Sequence, residues 1–272
     1  MTNFLSTNDV LGQFALTDQV AIVTGAGKGI GAAIAVAFAD AGADVAIASR
    51  TRADLDAVAD QIRQRGRRAV VCAVDVNDLA AVAQLVDQTV SELGRLDIVV
   101  NNAGGSVSYP FLDTRVEQLE ASFHFNVSVP FELSRLAVPH LLAQGGGSIL
   151  NVGSVAGRKM TRGSLTHGTT KAAVAQLTRL MAADLAPRIR VNAVLPGAIE
   201  TEALQRFLSD KAPDVREAMI GHTPMRRNGT PDDIALAAVY LSSPAASWVT
   251  GKLVEVDGAA ADDLVPKAIP DL

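Results

Sequence analysis

The sequence predicts an α/β fold, a single doubly wound domain whose parallel sheet has about seven strands and carries helices on both faces. Short apolar runs that end in turns alternate with amphipathic segments of helical period along nearly the whole chain. No Gly-, Ser- or Pro-rich linker divides the 272 residues, a length that one large domain can accommodate. We expect this domain at 18–260, an N-terminal arm at 1–17 and a C-terminal tail at 261–272.

The predicted elements follow one another at the spacing typical of parallel β-α-β units. Strands are predicted at 19–25, 44–49, 69–76, 96–104, 148–152, 189–197 and 252–258. Helices are predicted at 29–42, 55–66, 79–94, 115–143, 171–186 and 232–243. Pro130 and Pro139 are expected to bend the longest helix. The polar stretch 198–230 breaks the alternation and is predicted to be a substrate lid or loop.

Composition excludes several classes of protein. With 49% hydrophobic and 19% charged residues, the chain is too apolar to be disordered, and its net charge of −5 argues against a nucleic-acid surface. The single cysteine, Cys72, excludes an internal disulfide and a cysteine-based zinc site, and no metal site is predicted. We expect a cytoplasmic protein without membrane partners, because no apolar run approaches the ~18 residues of a membrane helix and the N-terminus lacks a basic signal region.

A glycine-rich segment, TGAGKGIG at 24–31, lies between the first predicted strand and the first predicted helix. Glycines at this junction allow a tight turn and the close approach of a pyrophosphate, which then lies at the helix N-terminus. The context makes a dinucleotide-binding loop the preferred interpretation. The cofactor-binding candidates in this loop are Gly25, Lys28, Gly29, Ile30 and Gly31.

The end of the second strand indicates which dinucleotide is bound. A site for NAD(H) commonly places a carboxylate ~20 residues after the loop, whereas this chain has Ser49 and Arg50 there, with Lys28 inside the loop. Two cations without a carboxylate suit a 2′-phosphate, so NADP(H) is favoured and NAD(H) remains possible. Asp75 and Val76 close the third strand. They are candidates for the adenine end, although Asp75 could instead cap the following helix.

Ser154, His167 and Lys171 form a second candidate site. Ser154 follows the strand-like run at 148–152, where open α/β sheets place their chemistry. His167 and Lys171 are four positions apart, so on a helix they share one face.

These motifs, together with NNAG at 101–104, Asn126 and PGAIET at 196–201, occur in the order and spacing of the short-chain dehydrogenase/reductase family. The resemblance covers about 17–260, and the C-terminal part resembles the bacterial 7α-hydroxysteroid dehydrogenase and 3-oxoacyl-carrier-protein reductase branches. It implies a Rossmann-type fold and an oxidoreductase that interconverts a secondary alcohol and a ketone. It also implies a homotetramer, with interfaces at the last strand and at the 115–143 helix.

The resemblance implies roles for individual residues. Asn126 would hold a water, Ser154 would hydrogen-bond the substrate oxygen, and Lys171 would bind the nicotinamide ribose and tune the acid/base. Further cofactor contacts would come from Asn102, Ala103, Gly104, Pro196, Gly197, Ile199 and Thr201.

One residue departs from the family pattern, because His167 occupies the position of the catalytic tyrosine. A histidine starts from a pKa of ~6.5, and the Lys171 cation should lower it further, so a neutral imidazole should predominate at pH 7. Such a group accepts a proton from an alcohol more readily than it donates one to a ketone. The alternative is a catalytically impaired protein that binds nucleotide as a sensor or oligomer partner.

Other candidates were considered for the chemistry. Tyr109 could donate a proton in place of His167, and His222 is expected to contact substrate or solvent. A serine hydrolase is excluded because the chain has no G-x-S-x-G elbow. Apolar residues predicted near the mouth of the site suit a hydrophobic substrate: Val107, Phe111, Leu204, Phe207 and Met219.

Overall fold

The sheet consists of seven parallel strands within residues 7–209 and 214–260, the part of the chain that the computed structural model describes. The strands are β1 (Val20–Thr24), β2 (Asp44–Ser49), β3 (Ala69–Ala73), β4 (Ile98–Asn101), β5 (Gly147–Val152), β6 (Ile189–Pro196) and β7 (Leu253–Val256). Their order across the sheet is β3-β2-β1-β4-β5-β6-β7, so the winding reverses between β1 and β4. The predicted doubly wound fold is confirmed, and its crevice lies at the carboxyl ends of the strands.

Helices pack on both faces of the sheet. They are α1 (Thr7–Gly12), α2 (Gly29–Asp40), α3 (Arg52–Gln64), α4 (Leu79–Leu93), α5 (Val116–Phe123), α6 (Val129–Ala143), α7 (Leu165–Leu185), α8 (Glu202–Ser209), α9 (Asp214–His222) and α10 (Pro231–Ser242). Side chains of α2, α3 and α10 pack in one core cluster, and those of α4, α6 and α7 pack in another. Alternate residues of β1 enter the two clusters, as expected for a strand buried on both faces.

The helix that carries His167 begins earlier than the sequence pattern predicts. It starts at Leu165 and not at Lys171, so His167 and Lys171 both belong to it. Threonine and glycine have low helix propensity, which hides this first turn from a sequence-based prediction. Tertiary packing stabilises it: Thr166 and Thr170 are buried, and Thr166 Oγ1 donates to the Val107 carbonyl at 3.2 Å.

The long helix predicted at 115–143 is divided into α5 and α6 by a π-helical segment at His124–Ser128. Pro130 is the second residue after this segment and lacks the N–H that a regular helix would use. Insertions of this kind frequently occur at functional sites, and this one contains Asn126.

Segments outside the alternating strands and helices also make defined contacts. The predicted lid at 198–230 contains α8 and α9, and Thr201 Oγ1 accepts from Leu204 N at the start of α8. At the other end, Leu16 is buried and Gln13 O accepts from Ala245 N, so the described part of the N-terminal arm packs on its own chain. The predicted tail at 261–272 lies outside the described residues.

Candidate active site

A cavity of about 580 Å³ opens where β1 to β6 end. All the cofactor-binding candidates line it, together with Ser154, His167 and Lys171. Sequence reasoning missed several lining residues: Asn77, Gly105, Phe125, Glu202 and Arg206. Asn77 and Gly105 lie four residues past the ends of β3 and β4, Phe125 lies in the π-helical segment, and Glu202 and Arg206 belong to α8.

The glycine loop has the geometry that a phosphate-binding turn requires. Gly29 has φ +57°, in the left-handed region that favours glycine. At Gly31, a Cβ atom would lie 2.3 Å from the carbonyl oxygen of Gly25 and 2.4 Å from Nδ2 of Asn102, so no side chain fits. Helix α2 begins at Gly29, and its first backbone N–H groups are the donors that bind phosphate at a helix N-terminus.

The NNAG turn braces this loop from the side of β4. Nδ2 of Asn102 donates to the carbonyl oxygens of Thr24 and Gly25 at 2.8 and 3.2 Å. In return, Thr24 Oγ1 accepts from the backbone N–H groups of Asn102 and Ala103, both at 3.1 Å. Asn102 therefore holds the glycine loop in place while it lines the cavity.

A polar corner lies at the end of β2. Ser49 Oγ is buried and has no hydrogen-bond partner among the described residues, whereas Arg50 is exposed on the same wall. Asp75 accepts from the backbone N–H of Asn77 at 3.0 Å and does not cap a helix. The cap of α4 is Asp78, which accepts from Ala80 N at 2.9 Å, so the capping role considered for Asp75 is wrong.

Ser154 lies just past β5 at the reaction end of the cavity. Its Oγ accepts from the backbone N–H of Ala156 at 3.1 Å. Because this bond uses the oxygen as an acceptor, the hydroxyl proton is available for an oxygen atom in the cavity.

His167 and Lys171 share a face of α7, as their spacing predicts, and both line the cavity. Burial lowers the pKa of His167 to about 4, and the Lys171 ammonium contributes as the second cause. Burial also lowers the pKa of Lys171 to about 8, and its Nζ donates to the Val152 carbonyl at 2.9 Å. At neutral pH the site therefore pairs a neutral imidazole with an ammonium that is close to its titration point.

The two nitrogens of His167 have different surroundings. Nδ1 is buried and has no hydrogen-bond partner among the described residues, so nothing there orients the ring or selects its tautomer. In sites where histidine acts as a base, this nitrogen usually donates to a carbonyl or carboxylate. His167 lacks that support.

Asn126 lies behind the cavity wall and does not line it. Its Nδ2 donates to the Gly105 carbonyl at 2.9 Å, and its Oδ1 accepts from Gly105 N at 2.9 Å. A Cβ atom on Gly104 would come within 2.8 Å of Asn126 Oδ1 and 3.1 Å of Lys171 Nζ. Asn126, from behind the wall, and Lys171, which lines the cavity, thus approach the same short stretch of backbone.

A buried network of amide and hydroxyl groups under the site was not predicted. Asn101 Nδ2 donates to Asn151 Oδ1 at 2.8 Å and to Ser134 Oγ at 3.0 Å, and Asn151 Nδ2 donates to Thr178 Oγ1 at 2.9 Å. It connects β4 and β5 to α6 and α7. The polar residues that interrupt the apolar strands at 101 and 151 were its only sequence signal.

The other proton-transfer candidates lie elsewhere. Tyr109 lines a second cavity of about 940 Å³ that contains neither Ser154, His167 nor Lys171, and His222 is exposed and lines neither cavity. Among the residues predicted near the mouth, Leu204 lines the first cavity, Phe111 lines the second and Met219 is buried. Val107 is exposed and lines neither cavity, and the side chain of Phe207 lies outside the described part of the chain.

Comparison with known proteins identifies the family. A family model described as enoyl-(acyl carrier protein) reductase matches residues 25–259. The 7α-hydroxysteroid dehydrogenase of Escherichia coli K12 is 41% identical over 250 residues, which are 92% of this chain and 96% of that protein. This chain belongs to the short-chain dehydrogenase/reductase family. It is an oxidoreductase of that family, as the motifs indicate.

Other family members extend the comparison. An uncharacterized oxidoreductase of Mycobacterium tuberculosis is 51% identical over 97% of this chain and 100% of its own length. The 3-oxoacyl-[acyl-carrier-protein] reductase of Thermotoga maritima is 33% identical over 89% of this chain and 98% of its own. A solved 7α-hydroxysteroid dehydrogenase complexed with NADH and 7-oxo glycochenodeoxycholic acid superposes with a TM-score of 0.89 at 40% identity, covering 97% of this chain and 100% of that one.

Within the described residues, none of the helices combines the length and the apolar character that crossing a membrane requires.

Proposed function

We propose that this family member is an NADP(H)-dependent oxidoreductase that interconverts a secondary alcohol and a ketone, with His167 in the position of the acid/base. One observation carries the proposal: Ser154, His167 and Lys171 line the same cavity as the glycine loop. A dinucleotide bound at the glycine loop would therefore share one cavity with the side chains that donate and accept the proton. The relation to hydroxysteroid dehydrogenases supports a hydrophobic small molecule as substrate.

The residues present suit a dinucleotide. The close contact at Gly31 leaves room only for backbone beside a pyrophosphate, and the unpartnered Ser49 Oγ offers a hydrogen bond to the ribose or its phosphate. Lys28 and Arg50 would favour a 2′-phosphate, so we propose NADP(H) as the preferred cofactor and NAD(H) as a weaker one. When bound, the nicotinamide supplies or accepts the hydride.

The side chains of His167 and Ser154 handle the proton and the substrate oxygen. In oxidation, the neutral imidazole of His167 accepts the proton of the alcohol while Ser154 holds the oxygen. In reduction, the imidazole has no spare proton to give at neutral pH, because its pKa is lowered to about 4. We therefore propose slow turnover that favours oxidation, with Lys171 holding the ribose and Asn126 fixing the backbone at Gly105.

The test is a pH–rate profile of the wild type against His167→Tyr and His167→Ala. A tyrosine should raise the rate of ketone reduction about 10- to 100-fold at neutral pH, because a misplaced acid costs about that factor and a phenol beside Lys171 can donate its proton. His167→Ala should lower oxidation at every pH. If His167→Ala equals the wild type at every pH, the acid/base assignment is wrong.

A second candidate function is nucleotide binding without turnover, as a sensor or as a partner of active relatives. The observation that favours it is the buried Nδ1 of His167, which has no described partner to hold the ring as a base. Tight NADPH binding without turnover across a panel of alcohols and ketones would support it. Turnover that appears only in His167→Tyr would show that the remaining machinery is intact.

We further propose that α8 and α9 form a lid over the substrate and that the protein is a homotetramer. Large apolar side chains are exposed on or beside the two predicted interfaces: Phe123 and Phe131 lie on the long helical segment, and Trp248, which is 98% exposed, lies five residues before β7. Light scattering after gel filtration tests the tetramer, and Trp248→Glu should shift it to a smaller species.

A further inference from the structure

We propose that Asp54 and Glu202 are specificity-determining residues that compete with a 2′-phosphate for Lys28 and so limit the preference for NADP(H) over NAD(H). The inference rests on the proposed dinucleotide-binding function. It assigns a role to two carboxylates that belong neither to the glycine loop nor to the end of β2.

Lys28 is held from two sides. Its Nζ lies 3.6 Å from Asp54 Oδ1 and 3.3 Å from Glu202 Oε2. Asp54 belongs to the first turn of α3, and Glu202 is the first residue of α8. The two carboxylates therefore reach the same ammonium from two helices that are far apart in sequence.

Both carboxylates belong to the corner where a 2′-phosphate is expected. The position that a Cβ would take on Gly27 lies 2.9 Å from Ser49 Oγ and 3.1 Å from Asp54 Cβ, so Asp54 adjoins the unpartnered hydroxyl. Glu202 lines the same cavity as Lys28, Ser49 and Arg50.

The two carboxylates and a 2′-phosphate would compete for the same Lys28 ammonium. A 2′-phosphate can pair with Lys28 only if the ammonium leaves or shares its two carboxylates, and those carboxylates repel the incoming anion. NAD(H) carries no such phosphate, so it leaves both ion pairs intact. Two arginines also line this cavity. Arg50 makes no ion pair with any described residue, and Arg206 donates through Nε to the Glu202 carbonyl at 3.3 Å.

Titration calorimetry with NADPH and NADH on the wild type, Asp54→Asn and Glu202→Gln tests the inference, with the NADH constant obtained by competition where needed. Each variant should raise the ratio of the NADH Kd to the NADPH Kd by about two- to fivefold, the range expected for an exposed ion pair. A general loss of protein stability would weaken the binding of NADPH and NADH alike. A change in the ratio of their Kd values therefore reports the effect on the 2′-phosphate alone.

Two controls make the result specific. Asp56→Asn removes a carboxylate of the same helix that pairs with Arg52 and not with Lys28, so it should leave the ratio unchanged. In a Lys28→Gln background, Asp54→Asn and Glu202→Gln should lose most of their effect, because the shared cation is gone.

The outcomes separate two failures. Nucleotides that bind with a ratio unchanged in both Asp54→Asn and Glu202→Gln would overturn this inference and leave the proposed function standing. A wild type that binds neither NADPH nor NADH would overturn both.

Discussion

The two ends of the cavity differ in how their polar groups are satisfied. At the glycine-loop end, Asn102 and Thr24 hydrogen-bond the turn closely, and no side chain fits at Gly31. At the end proposed for the reaction, Lys171 is buried, and His167 has both a strongly lowered pKa and an Nδ1 that meets no hydrogen-bond partner in the described chain. The first end is closely hydrogen-bonded, whereas the second holds titratable groups whose pKa values burial has shifted, as is common at functional sites.

The largest effect is expected at the glycine-loop end, from Gly31→Ala. The new methyl group would lie 2.3 Å from the Gly25 carbonyl oxygen, a backbone atom that cannot move without opening the turn. NADPH affinity should fall by more than about 100-fold, since a displacement of ~1 Å in a site costs roughly that factor. Fluorescence titration measures it.

The matched control is Gly12→Ala, at a glycine where the added Cβ would have no heavy atom of residues 7–209 or 214–260 within 4 Å. It should bind NADPH as the wild type does. Equal affinity of Gly31→Ala and wild type would mean that the loop is not the phosphate cradle.

The next effect concerns the reaction end and depends on pH. His167 titrates near its usual pKa of ~6.5 when unfolded but at about 4 when folded, so between these values the unfolded chain binds more protons. The wild type should therefore lose about 3 kcal/mol of unfolding free energy through this residue as pH falls from ~6.5 to 4. Urea unfolding across that range should show a shallower decline for His167→Asn.

His222→Asn serves as the control, because His222 is exposed on α9. It should follow the wild-type curve. Parallel curves for His167→Asn and the wild type would show that the imidazole is solvated in the folded protein.

The smallest effect is expected for Asn101→Ala, which removes the side-chain donor to Asn151 and Ser134. Asn151 Oδ1 would lose its partner inside the protein, at a cost of about 2 kcal/mol in unfolding free energy. Because Asn101 directly precedes Asn102 and Asn151 lies three residues before Ser154, we expect NADPH affinity and turnover to fall together by similar factors. A change in turnover alone would show that the network supports only the reaction end.

Prediction from sequence worked where local rules dominate. The glycine loop and the strand before it were predicted because a tight turn before a helix requires glycines at that spacing, whereas Asn102 was named only from the resemblance to the family. It failed at the first turn of α7, where poor helix formers are held by tertiary contacts, and at α8 and α9, which were expected only as a lid or loop. Asn101 and Asn151 were missed because a partner on a neighbouring strand has no fixed sequence distance.

The sequence by itself determined the doubly wound fold, the glycine loop between β1 and α2, and the presence of a histidine four positions before Lys171. Periodicity and spacing are local properties, so they can be read along the chain. Only the tertiary structure decided that burial, more than Lys171, lowers the pKa of His167, and that Asp54 and Glu202 converge on Lys28. Desolvation and charge pairing depend on which distant segments pack together, and the fold alone brings those segments into contact.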